Sequence, residues 1–189
     1  MGLTNFTYKG KEFFYEDHLH NSTRDNERGV ELALAKEFLR RYDNIIEVGA
    51  VTPYYFKEYT HEVFDLEDTH PRAKNVDASG MDFTGKNVLC ISTVEHFKDN
   101  SVPFIKNIIE NANKYLITFP LGYNERIDSD EKLDKFGLLK GTFMSRIDPR
   151  STEDKLKDNW VEKTTLTDDD KKYGNYQWAS TIAIFENFI

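Results

Sequence analysis

The feature that most constrains this chain is a series of short apolar runs, each stopping at an acidic, small or turn-forming residue. The first is Asn44-Ile45-Ile46-Glu47-Val48-Gly49 and the second His61-Glu62-Val63-Phe64-Asp65; the third spans 75–78 and the fourth, KNVLCIS, 86–92. A fifth, YLITF at 115–119, stops at Pro120. Runs this short, bounded by turn residues, suit strands buried on both faces. Helical patterns stand among them. Over 27–42, Val30, Leu34, Ala35, Phe38, Leu39 and Tyr42 recur at helical spacing, with Asp25 or Asn26 placed as N-cap. After the fourth run, Asn100 or Ser101 can cap a helix with Pro103 in its first turn and a stripe of Phe104, Ile105, Ile108, Ile109 and Ala112. Strands alternating with helices predict a parallel sheet covered on both faces, a doubly wound α/β fold.

Length and composition narrow the class. The chain has 189 residues and suits one domain, with neither internal repeat nor Pro/Gly/Ser-rich linker. Its N-terminal stretch, at about 1–24, interleaves aromatics with polar groups around Lys9-Gly10-Lys11 and predicts a hairpin serving as a flap. With 39% apolar residues, 14% of the chain being aromatic, it can build a core, which excludes wholesale disorder. The longest uncharged stretch, 173–185, is too short and polar to cross a bilayer, and the start lacks a basic-then-apolar signal pattern. A cytoplasmic protein without a membrane span is expected. A net charge of −8 without a Lys/Arg cluster disfavours nucleic acid as partner, while assembly as a homo-oligomer stays open. The lone Cys90 lies in an apolar run and reads as a buried thiol. Asp17, His18 and His20 lack a convincing further ligand, and the run 168–172 reads as a solvated turn, so no metal is predicted. The last third reads as a Gly-punctuated segment over 136–147, a charged loop over 148–163, a Thr167–Asp170 capping box and a final strand over 177–185.

In open α/β sheets, ligands bind beyond the carboxyl ends of the strands, where strand order reverses. Glu47, Gly49, Asp65, Glu67, Asp77, Asp82 and the segment from Ser92 to His96 would line that crevice. Asp65 follows Gly49 by sixteen residues, where nucleoside-binding folds place the carboxylate that accepts from ribose hydroxyls. The turn EVGAVTPYY holds one glycine, a poor pyrophosphate cradle, so NAD, FAD and ATP lose ground. A phosphate-free nucleoside such as S-adenosylmethionine (SAM) needs less of that cradle, and its sulfonium suits acidic and aromatic walls.

The ordered set IIEVGAVTPYY, VFDLED, NVDASGMDFTGKNVLCISTVEHF and YLITFPLGYN resembles the class I SAM-dependent methyltransferases over residues 26–124. ERGVELALAKEFL, EVGAVTPYY, ISTVEHF and FPLGYN resemble, more narrowly, small bacterial methyltransferase-like proteins associated with surface-glycan biosynthesis. The resemblance implies a Rossmann-like, seven-stranded, mostly parallel sheet with a reversed last strand. It implies that Glu47 and Gly49 serve the methionine side of the cofactor. Asp65 would take the ribose, and Asp77 or Asp82 with Met81 the adenine, with Ala50, Leu66 and Ser92 also among the cofactor-binding residues. Typical members carry further glycines where this chain has Val51 and Pro53. Tyr54 or Tyr55 would pack on the cofactor, and Arg28 and Glu31 would reach it by analogy with the narrower group.

His96, next to Glu95 after the fourth strand, stands where a general base would face an acceptor. Tyr123 and Arg146 are candidates for the acceptor side. The expected function is methyl transfer from SAM to an oxygen or nitrogen of a small molecule, a sugar or nucleotide-sugar among the candidates. The alternatives are a noncatalytic binding or assembly module on the same fold and a different SAM-consuming enzyme.

Overall fold

In a computed structural model of the chain, residues 5–97, 100–123, 142–146, 160–167, 170 and 181–189 are described. In chain order the strands are β1 (Asn5–Tyr8), β2 (Lys11–Phe14), β3 (Ile45–Val48), β4 (Glu62–Asp65), β5 (Ala73–Asn75), β6 (Asn87–Ile91), β7 (Lys114–Pro120), β8 (Thr142–Arg146), β9 (Trp160–Lys163) and β10 (Thr181–Glu186). Two α-helices stand among the described residues, α1 (Arg28–Arg41) and α2 (Ser101–Asn111). No helix among them is long and apolar enough to cross a membrane. The architecture is α/β with a large, mostly parallel sheet. The chain divides into two compact units, one of Met1–Leu34 with Pro120–Ile184, the other of Ala35–Phe119 with Phe185–Ile189.

The second of these units carries five parallel strands in the order β5-β4-β3-β6-β7. Ile46 pairs with Glu62 on one side and Val88 on the other; Val63 pairs with Ala73, and Val88 with Tyr115. The order reverses at β3, because its chain successor β4 lies on one side and β6 on the other. Every residue of β3 and β6 is buried, as unbroken apolar runs require of strands covered on both faces. Beside β7, Tyr115 N donates to Asn187 Oδ1 (2.9 Å) and Phe119 stacks on Phe185 (5.8 Å). Partner numbers fall as those of β7 rise, so the chain end runs antiparallel there.

Helices are fewer than a doubly wound sheet requires. The connections from β3 to β4, β4 to β5 and β5 to β6 hold no α-helix, only 3-10 turns at Thr52–Tyr54 and Ala78–Gly80. Pro53 and Pro71 interrupt the first two, Gly80 and Gly85 the third, and the second is too short for a helical crossover. The third strand is also displaced from its expected place over 75–78. It is Ala73–Asn75, because Asp77 instead caps the 3-10 turn by accepting from Ser79 N at 2.9 Å. In α2, Phe104, Ile105 and Ile108 are buried as the stripe predicts.

In the first unit, β1 and β2 form an antiparallel hairpin that turns at Lys9 and Gly10, both at positive φ. Phe6, Tyr8 and Phe13 are buried, and Lys9 N donates to Glu162 Oε2 at 2.8 Å, so packing anchors the hairpin. Asn26, of the two expected caps, accepts from Arg28 N at 2.9 Å and starts α1. The segment expected as a charged loop ends in a strand: β9 pairs antiparallel with β8, which pairs antiparallel with β10. Thr167 and Asp170 form the reciprocal bonds expected of them, at 2.8 Å and 3.3 Å. Asp170 is nevertheless buried against Lys163 (2.5 Å), which corrects its reading as part of a solvated turn. Residues 136–141, 147–159, 168, 169, 171, 172 and 177–180 of the expected segments lie outside the described ones.

Candidate functional site

Seen from the carboxyl ends of β3, β4 and β6, the turn after β3 is held by two carboxylates. Glu47, fully buried, accepts through Oε1 from Val51 N (3.0 Å) and Thr52 N (2.7 Å). Its Oε2 meets Thr52 Oγ1 and His61 Nε2, the latter at 2.6 Å. Two backbone donors, the Thr52 hydroxyl and the His61 imidazole thus surround this one carboxylate. Glu47 therefore shapes the turn; its carboxylate is spent before any ligand arrives.

Asp65, at the end of β4, accepts from Ala50 N (2.9 Å) through Oδ2 and from Glu67 N (3.0 Å) and Asp68 N (2.9 Å) through Oδ1. Partial burial pushes its carboxyl up, but these three N–H groups and the nearby charge of His96 outweigh that and hold it below the usual carboxylate range. A carboxylate has about four acceptor positions, so the remaining capacity lies chiefly on Oδ2. Gly49 N donates to Phe64 O at 2.8 Å. Each backbone N–H from Gly49 to Thr52 is thus committed to a protein acceptor.

Gly49 is required for a reason the sequence did not disclose. Its φ is +85°, and a Cβ built on it would lie 2.7 Å from both Cβ and Cγ2 of Thr93, and closer still to Oγ1. The room beside Gly49 belongs to Thr93, which itself donates to Ile91 O (2.7 Å). Ser92, between Ile91 and Thr93, is half-buried at φ 38°, in the left-handed region that favours glycine.

The other candidates spread along the same strand ends. Tyr54 donates to Asp68 Oδ1 (2.8 Å) and meets the His70 ring edge-on at 4.7 Å. Tyr55 is buried, while Leu66 and Val76 are exposed apolar side chains. Met81 is half-buried; Asp77 and Asp82 each accept a backbone N–H two residues on, and the backbone and hydroxyl of Ser79 hold the Asp77 carboxyl, as the hydroxyl and then the backbone of Thr84 hold that of Asp82, below the ordinary range. Glu95 and His96 occupy a 3-10 turn, Val94–His96, with Glu95 buried and His96 60% exposed. Their side chains approach to 3.9 Å.

Tyr123 and Arg146, the acceptor-side candidates, belong to the first unit. Tyr123 is exposed beyond Gly122 (φ 81°), and the Arg146 guanidinium lies 5.2 Å from the Trp160 ring. In the same unit Arg28 Nη1 lies 3.3 Å from Glu31 Oε2, and Glu31 is fully buried. The neighbouring Glu27 is buried and its Oε2 has no hydrogen-bond partner. Burial and then the charge of Glu31 push its carboxyl up to about 7, against the opposing pull of Arg28 and Arg146.

His61, Thr52 and Glu27 were not legible as site residues, and Thr93 was so only as part of the segment from Ser92 to His96, without its packing on Gly49. Each acts through a contact set by tertiary packing; only the immediate proximity of Thr93 to the fourth strand was visible. Among the described residues no three His, Cys, Asp or Glu side chains are grouped to hold a metal ion. Compared with known proteins, the chain matches no family model and no curated protein.

Proposed function

We propose that the crevice at the carboxyl ends of β3, β4 and β6 binds SAM, and that the protein transfers its methyl group to an oxygen or nitrogen of a small molecule. One observation carries the reading. The turn commits its N–H groups to Glu47, Asp65 and backbone carbonyls, so it has nothing to offer a pyrophosphate, while Asp65 stays ionised with acceptor capacity left for a hydroxyl. A nucleoside without phosphates meets both conditions. Asp65 would hold the ribose, and Leu66, Val76 and Met81 would offer apolar surface to the adenine, with Asp77 or Asp82 accepting from its amino group. SAM, when bound, supplies an electrophilic methyl.

The protein's own part is positioning and proton handling. Holding acceptor and cofactor in reach and aligned contributes most of the acceleration. His96 takes the acceptor's proton on its imidazole, and Glu95 Oε1, 3.9 Å from Nε2, stabilises the imidazolium that results. A noncatalytic binding module is the second reading, favoured by Thr93 filling the space beside Gly49 and by the open exposure of His96.

Calorimetric titration with SAM and S-adenosylhomocysteine tests the cofactor, and SAM consumption screened against sugars, nucleotide-sugars and small amines tests the reaction. Binding without turnover on any acceptor class selects the second reading. Absence of binding at millimolar concentration removes both. Where turnover is found, His96→Asn lowers it about a hundredfold with SAM affinity kept, if His96 is the base.

A further inference from the structure

The N-terminal ends of β3 and β4, opposite the crevice, border a pocket of about 380 Å³ formed by the end of α1, the start of β3 and the segment leading into β4. The volume lies within the range of small-molecule sites. Its chemistry is that of an acceptor-rich wall. Asp43 and Glu58 are exposed carboxylates on its rim, and Tyr42 and Tyr59 are half-buried beside them. Both rings are braced, Tyr42 against Phe38 (5.1 Å) and Tyr59 edge-on to Phe56 (6.1 Å), which gives the wall rigid apolar surface.

His61 supplies the independent sign of a ligand. Its side chain is 6% exposed and forms part of the pocket wall; Nε2 is taken by Glu47, and Nδ1 is buried without a hydrogen-bond partner. Nδ1 is thus a buried polar nitrogen left unmet, which is costly until a ligand supplies its partner. The carboxylates ask for a ligand rich in donors, and a hydroxyl, which both donates and accepts, meets this nitrogen in either tautomer.

Two classes of small ligand are donor-rich, ammonium compounds and polyols, and the local charge decides between them. Glu62 on the rim is paired with Lys74 (2.5 Å), Lys86 Nζ donates to Asn44 on the lining (3.1 Å), and Arg72 donates to His61 O (3.3 Å). Asp43, Glu58 and Glu62 on the lining are thus matched by Lys74, Lys86 and Arg72 held beside it, three charges against three, so the surroundings carry none of the excess negative charge that an ammonium would need. We propose that this pocket binds a neutral saccharide, whose hydroxyls donate to Asp43 and Glu58 and meet His61 Nδ1 while a sugar face packs on Tyr42 or Tyr59. The site is separate from the SAM crevice and stands or falls without it.

Saturation-transfer and chemical-shift NMR on the full chain, with the methyl glycosides of glucose, galactose, mannose and N-acetylglucosamine, tests the proposal. The expected result is binding of at least one glycoside with a Kd of about 1 mM, shifting resonances of residues 58–62. Asp43→Asn with Glu58→Gln, both exposed and therefore neutral to folding, should weaken it about tenfold. Binding by none of the four, or binding that the double variant leaves unchanged, overturns the site. Spermidine shifting these resonances where the glycosides do not would overturn the saccharide in favour of a cation.

Discussion

Gly49 and Asp65 show how one residue can carry two demands. At φ +85°, with Thr93 packed against its Cα, Gly49 admits no side chain even before a ligand is considered. Gly49→Ala should therefore destabilise the fold by about 2–4 kcal/mol, read from the midpoint of urea denaturation. The companion Thr93→Gly removes all three clashing atoms, so Gly49→Ala made in that background should cost less than it does alone. Recovery without any change in SAM affinity would make the glycine purely structural. Asp65 is the opposite case, since its carboxylate holds three backbone N–H groups and still has room on Oδ2. Asp65→Asn keeps an acceptor but loses the charge, and SAM affinity should fall about tenfold to a hundredfold by calorimetry. Undiminished affinity would take Asp65 out of the ribose site.

At the scale of elements, Glu47 ties the turn after β3 to the residue that leads into β4. Glu47→Gln keeps the shape but replaces one acceptor oxygen with a donating amide, which then faces either the two backbone N–H groups or the Thr52 hydroxyl and His61. Thermal unfolding should register a loss of about 3 kcal/mol, as for other buried charged networks that lose one member. An unchanged midpoint would mean that the turn is held by backbone alone. The same elements show what a sequence can and cannot disclose. β3 and β6 were legible because strands buried on both faces show as short apolar runs, β4 and β7 because their apolar residues stop at Asp65 and Pro120, and α1 because Val30, Leu34, Ala35 and Phe38 repeat at helical spacing. β5 was misplaced by two residues, because Ala73-Lys74-Asn75 has no apolar pattern and pairs through its backbone. The acidic strand ends could be found, but not their partners: nothing in the residues near Glu47 announces that His61 will share its carboxylate. The scarcity of helices between β3 and β6, which a doubly wound fold does not share, has a cause visible in the residues, the prolines and glycines of those connections.

For the molecule as a whole, stability against pH sets Glu27 against the other perturbed carboxyls. Glu37, Asp65 and Asp170 are held low by their partners, so what they contribute is present above their unfolded values and is lost as pH falls through their folded ones. Glu27 runs the other way. Burial raises its folded value from 4.5 to about 7, so the folded state prefers the neutral acid. Its contribution is full below pH 4.5 and is lost as pH rises toward 7 and above. The displacement corresponds to about 3 kcal/mol. Glu27→Gln replaces the neutral acid with a neutral amide of similar shape, so it should raise stability at pH 8 by an amount of that order and change it little at pH 4.5. Denaturation midpoints of the two proteins across this interval, in a buffer of fixed ionic strength, decide the matter. Curves that stay parallel from pH 4.5 to 8 would show that Glu27 is ionised throughout, with Arg28 and Arg146 outweighing its burial and the charge of Glu31.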